Sequence, residues 1–150
     1  MLTIHAADEV RHVPNADAEA VKDGAVVVDG GRVVAVGPTA ELVERYPAAR
    51  VRHWPGVLGP ALVHRGPLPD APSPRERVHA VLKSGATAVL EEHADTPELR
   101  AAAARNDVLV LAAPRTAALA PGSRADLAVF DASGACLATV CAGRLVHRRR

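Results

Sequence analysis

The sequence predicts an α+β fold: a small β-sandwich formed by the two ends of the chain, with a short β-α-β insert between them. Three observations predict it. Residues 25–36 read AVVVDGGRVVAV, two β-branched runs around Asp29-Gly30-Gly31. Residues 121–147 again read as short apolar runs, separated by Pro121-Gly122, Ser133-Gly134 and Ala142-Gly143. The stretch between them instead carries helix starts and unalternated apolar segments. The predicted division is residues 1–66 and 117–150 as the sandwich, with 67–116 as the insert.

In chain order, residues 25–36 form a hairpin, because glycine reaches the positive φ that a tight turn demands. Gly37-Pro38 ends its second strand. Residues 39–46 follow as a helix capped by Thr39, with Leu42, Val43 and Tyr46 on one face, and Pro47 stops it. Residues 51–54 read as a further strand. Residues 57–63 read as a strand leading into the insert, weakened by Gly59 and Pro60. Residues 66–74 hold four prolines and form an extended connection. Ser73-Pro74-Arg75-Glu76 is a helix start: serine caps, proline takes the first helical position, and glutamate completes a capping box. Val78, Val81 and Leu82 form that helix's buried face, and Gly85 ends it. Residues 86–90 are a short apolar strand. Thr96-Pro97-Glu98 starts a second helix that Asn106 ends, and residues 108–111 are a continuous apolar strand. Strand, helix, strand implies parallel pairing, and unalternated strands imply burial on both faces. Residues 126–130, 136–141 and 144–147 complete the sandwich, the last two as a hairpin about Ala142-Gly143.

Composition narrows the function classes. The 150 residues are 49% hydrophobic and 23% charged, which fits one domain with a real core. Trp54, Tyr46 and Phe130 are the only aromatic residues, so a base-stacking surface for nucleic acid is not expected. Net charge is +1, so no global field points to an acidic partner. The positive cluster His147-Arg148-Arg149-Arg150 reads as a solvated terminus. No basic, apolar leader opens the sequence and no run approaches about 18 apolar residues, so neither a signal peptide nor a membrane span is expected. A cytoplasmic location follows as the default. Cys136 and Cys141, five apart, are expected on opposite faces of one strand as small buried hydrophobes.

These residues resemble the amidohydrolase superfamily, above all its imidazolonepropionase-like and cytosine- or adenosine-deaminase-like branches. Residues 23–38, DGAVVVDGGRVVAVGP, follow the family's N-terminal pattern, and PGVL at 55–58 follows the start of its next one. Residues 121–131, PGSRADLAVFD, and 139–146, TVCAGRLV, are similar to its C-terminal signature. The resemblance implies that both ends form the composite β-domain that sits beside a catalytic barrel. It also implies a structural role for Asp126, whose carboxylate accepts hydrogen bonds from nearby backbone N–H groups. A full (β/α)₈ barrel takes about 250 residues, so the insert corresponds to its first two or three β/α units. Where the family carries His-x-His after Pro-Gly, this chain has Ala61-Leu62-Val63, with His64 next. The family's later metal ligands and its aspartate near the last barrel strand have no counterpart motif, so no catalytic residue carries over.

In a parallel sheet, function gathers beyond the C-terminal strand ends. There stand His64 and Arg65, then Glu91, Glu92 and His93, then Arg115. One reading has His64, His93 and a glutamate ligating zinc or iron, with the other glutamate as general base and Arg115 beside them. The other reading is a polar loop with surface charges, and no cofactor. His79 and Lys83 read as a solvated helix face, and His5, His12 and His53 as partly buried polar residues of the sandwich. Two functions stay open: a non-catalytic amidohydrolase remnant acting as an interaction or ligand-binding module, or a reduced metal-dependent hydrolase of non-peptide carbon–nitrogen bonds. An open stub of barrel exposes strand edges and apolar faces. A homodimer covering them, or a protein partner on the insert, is therefore expected, with no nucleic acid or membrane involved.

Overall fold

The computed structural model describes residues 1–13 and 19–149. In chain order its elements are β1 (Leu2–Arg11), β2 (Ala20–Asp29), β3 (Arg32–Pro38), α1 (Thr39–Arg45), β4 (Arg50–Pro60), β5 (Leu62–His64), α2 (Pro74–Lys83) and β6 (Ala86–Leu90). A 3-10 turn at Glu91–His93, α3 (Pro97–Arg105), β7 (Leu109–Leu111), β8 (Leu127–Phe130), β9 (Cys136–Cys141) and β10 (Arg144–Arg148) follow. Among the described residues, no helix is long and apolar enough to cross a membrane.

Seven strands form one mixed sheet in the order β10-β9-β8-β4-β1-β2-β3. The two ends of the chain meet at β4, which runs parallel to β1 and pairs antiparallel with β8. The sheet then folds back on itself. Val33 N–H donates to the Ser123 carbonyl at 2.9 Å, and Gly122 and Ala125 N–H donate to Val33 and Gly31 at 2.8 Å. Folding over buries one continuous aliphatic core, with Val10, Val26, Val28 and Val33 facing Leu58, Leu127, Val129 and Val140. On the outer face α1 covers Ile4, Ala25 and Val27 with Leu42.

The β2–β3 hairpin turns at Asp29-Gly30-Gly31-Arg32 as expected, with Gly30 at φ 57°. Sequence reading had not singled out β1, although it is a central strand of the sheet. Three other expectations change. Thr39 does not cap α1: Pro38 is its N-cap, and the cap has no side-chain hydrogen bond. Val43 is exposed, so Leu42 and Tyr46 alone carry the apolar face. Residues 57–63 are not one strand. β4 runs unbroken through Gly56 (φ 91°) to Pro60, and only Leu62–His64 joins the insert sheet. The first insert strand thus lies just before residue 67.

The insert is a three-stranded parallel sheet, β5-β6-β7. Ser73 Oγ accepts the Glu76 N–H at 3.2 Å and Thr96 Oγ1 accepts the Leu99 N–H at 3.1 Å, so both helices begin where the sequence places them. Val78, Val81, Leu82, Leu99 and Ala102 pack on Ala86 and Val89. The same cluster reaches Cys141 and Val146 of the large sheet, and Thr139 Oγ1 donates to the Leu82 carbonyl at 2.7 Å. The insert is thereby fastened to the outer face of β9–β10. All five residues of β6 are buried, so the chain itself covers the central strand of the stub.

The two cysteines do not sit on opposite faces. The β8–β9 register shifts between Val129 and Phe130, which puts an extra residue in β9. Cys136 Sγ lies 3.4 Å from Thr139 Oγ1, and both cysteines turn toward the insert as free thiols. His5 is wholly buried, whereas His12 and His53 are exposed. His79 and Lys83 are exposed, as expected. Arg148 stacks over Trp54 at 5.4 Å and Arg149 approaches Asp131, while Arg150 lies outside the described residues.

Candidate functional site

The C-terminal ends of the insert strands are neighbours: His64 pairs with Val89, and Leu90 with Leu111. The polar residues there nevertheless do not converge. His64 Nε2 is engaged 2.8 Å from the Pro67 carbonyl. Arg65 and Glu91 point into solvent. Glu92 is exposed and its carboxylate lies 3.8 Å from His93 Nε2. No group of three His, Cys, Asp or Glu side chains among the described residues is placed to hold a metal ion. The zinc or iron that the family resemblance implies needs about three protein donors, and this donor set does not fit it.

Arg115 has a different setting. It leaves the strand ends and lines a cleft of about 470 Å³ between the helix-free face of β5-β6-β7 and residues 115–126. Val63, Ala88 and Leu109 supply apolar lining, with Thr87 beside them. Arg32, Ser123 and Arg124 border the other side. The β5–β6 register explains Thr87: Leu62 pairs with Ala86 but Val63 with Ala88, so Thr87 is an extra residue in the ladder. Such bulges re-aim side chains.

The polar wall is ordered by Asp126. One carboxylate oxygen accepts from Arg124 Nε at 2.7 Å, and the other accepts the Ala142 N–H at 3.0 Å. The structural part expected of Asp126 is what it plays, with an arginine added to the backbone donor. Burial disfavours the Arg124 charge, but the hydrogen bond and the field of Asp126 outweigh it and raise the guanidinium pKa above its usual value. Burial also pushes the Cys141 thiol up to about 11, with Arg124 pulling the other way. Burial raises Cys136 too.

Residues 24–49 match the family model for the imidazolonepropionase-like composite domain of bacteria. Solved structures with the same fold include guanine deaminase from Bradyrhizobium japonicum (TM-score 0.56, 17% identity, 73% of this chain and 34% of that one). Guanine deaminase from E. coli (0.55, 17%, 73% and 35%) and ochratoxinase from A. niger (0.50, 18%, 73% and 30%) match in the same way. The chain spans about a third of the length of these solved chains. No curated protein matches the sequence.

The sequence groups Arg115 with the strand-end residues and does not single out Arg32, Thr87 or Arg124, which line the cleft with it. The one available signal was Thr87, a lone hydroxyl inside the apolar run Ala86–Leu90. Arg32 and Arg124 come together only through the fold-over of the sheet, where an isolated bridge pairs them.

Proposed function

We propose that this composite domain is a non-catalytic derivative of an amidohydrolase, acting as a ligand-binding or interaction module in the cytoplasm. The observation that carries this reading is the connection between β4 and β8. It supplies three parallel strands and two helices in place of a closed barrel. The polar groups at the strand ends do not gather into a set of three donors: His64 is bonded to a backbone carbonyl, and Glu92 lies beside His93 alone. The cleft beneath them is built and lined, which suits binding.

The alternative is a reduced hydrolase of non-peptide carbon–nitrogen bonds. It draws on the names of the structural neighbours, guanine deaminases among them. It would need His64, His93 and a glutamate, Glu91 or Glu92, to meet around an ion, with Arg115 near the substrate. Elemental analysis of tag-free protein separates the two. Less than a tenth of an equivalent of zinc or iron, and no turnover of guanine-, adenosine- or cytosine-like substrates, is the expected result. A stoichiometric metal that disappears in His93→Ala would overturn the module reading.

A homodimer belongs to the same proposal. With β6 covered, one surface left for it is the outer edge of β7, which pairs only with β6 among the described residues. Val110 is exposed on that strand. Antiparallel pairing with β7 of a second copy would satisfy the edge in both chains.

A further inference from the structure

We infer that the cleft between β5-β6-β7 and residues 115–126 binds a small organic acid, with its carboxylate held by Arg115 and Arg32 and its short apolar body laid on the insert sheet. Nothing in the resemblance or the comparisons assigns this site. It lies toward the beginnings of the insert strands, lined by Ala61, Thr87 and Leu109, and away from the strand ends where His64 and His93 stand.

Three observations carry it. First, the cationic balance is uneven. Three arginines line the cleft and Asp126 is the carboxylate among them. That carboxylate is spent on Arg124 and Ala142. Arg115 and Arg32 have no side-chain hydrogen bond or ion pair among the described residues. Two guanidiniums on one cleft without a counter-charge among the described residues favour an anion, and their planar forks match a carboxylate. Second, Thr87 is 3% exposed and its hydroxyl has no hydrogen-bond partner among the described residues. No fully enclosed side-chain polar atom in the described structure lacks a partner. The Thr87 hydroxyl therefore opens on the cleft that the residue lines, as a donor waiting for a ligand oxygen. Third, the cleft has the size of a small-molecule site, about 470 Å³, and an apolar floor of Val63, Ala88 and Leu109. A bare inorganic anion would leave that floor unused.

The inference deepens the module reading and rests on it in taking the cleft as a place of binding. The two fail separately, since metal content and turnover test the module, and the following titration tests the ligand. The full chain is titrated with hexanoate, hexanamide and inorganic phosphate at constant ionic strength, followed by amide chemical shifts. The expected result is saturable binding of hexanoate, with shifts at Thr87, Leu109 and Ser123. Hexanamide and phosphate should bind at least about tenfold more weakly. Arg115→Gln and Arg32→Gln should each weaken hexanoate about fivefold or more, Thr87→Val by less, and the distant Lys22→Gln should leave it unchanged. Phosphate binding as tightly as hexanoate, equal binding of hexanamide, or no saturation at the cleft would each overturn the inference. Thr87→Val is nearly isosteric, so it reads the site even where an arginine variant misfolds.

Discussion

His5 shows how a single buried side chain ties this fold to pH. Its ring stacks on Trp54 at a centroid distance of 6.4 Å, and Nδ1 accepts the indole N–H at 3.2 Å. That acceptor is the neutral form. Burial first, and the charge of Arg52 second, lower the ring's pKa from 6.5 to about 4. The unfolded chain binds a proton below pH 6.5, while the folded one waits until about pH 4. Acidification across this window therefore favours unfolding, by up to about 1.4 kcal/mol per pH unit. The stabilisation is complete above the window, falls as the pH drops through it, and is flat below. Urea unfolding at pH 7 and pH 5 should show a loss in the native protein larger by roughly 1–2 kcal/mol than in His5→Asn, which keeps an acceptor but does not titrate. Equal losses would show that the ring is free to protonate in the fold. The sequence placed His5 in the sandwich, but its contact with Trp54 was not legible, because 49 residues separate them. Thr87 escaped in the same way: its bulge depends on the partner strand.

At the scale of elements, what the sequence announced was what is decided locally. Ser73 and Thr96 cap because each stands before proline and an amphipathic run, and the structure places both bonds. Thr39 resembled them, but Pro38 occupies the cap with an extended backbone, so the threonine enters the first turn. The sequence divides β4 between two strands, 51–54 and 57–63, with Pro55-Gly56 between them. Inside the sheet Gly56 instead lets the strand pass under Phe130, whose carbonyl a Cβ would strike. The β9–β10 turn depends on a closer approach. Gly143 has φ 84°, and a Cβ there would overlap the Gly30 carbonyl of the β2–β3 turn. These two hairpin tips close the fold-over, with the Gly143 N–H donating to Ala125 at 2.9 Å. Gly143→Ala should cost about 2 kcal/mol or more, from the left-handed backbone together with the clash. Chemical denaturation measures it. A loss below about 0.5 kcal/mol would mean the tips separate at little cost.

For the molecule as a whole, the α+β class and the pairing of the two ends were legible because turn residues punctuate both. The coverage of the insert was not. Uncovered faces were the expected driving force for a dimer, yet α2 and α3 cover one face of β6, and the other face lines the cleft beneath residues 115–126. What a second copy can use is a short strand edge. Light scattering at micromolar concentration should report a dimer that Val110→Lys converts to monomer, since a lysine at an edge opposes strand addition. A monomeric native protein, or a dimer indifferent to Val110→Lys, would remove the β7 edge from the proposal. The seating of β4 between β1 and β8 has one more consequence. During synthesis β1 to β4 leave the ribosome well before β8 to β10, so the nascent sheet waits with β4 unpaired along one side. Long-range pairing of this kind is slow to form and open to aggregation meanwhile. The segment from β8 to β10 is thus the closing seam of the sheet, and a stalled or truncated translation product lacking it would present that bare edge to whatever strands are nearby.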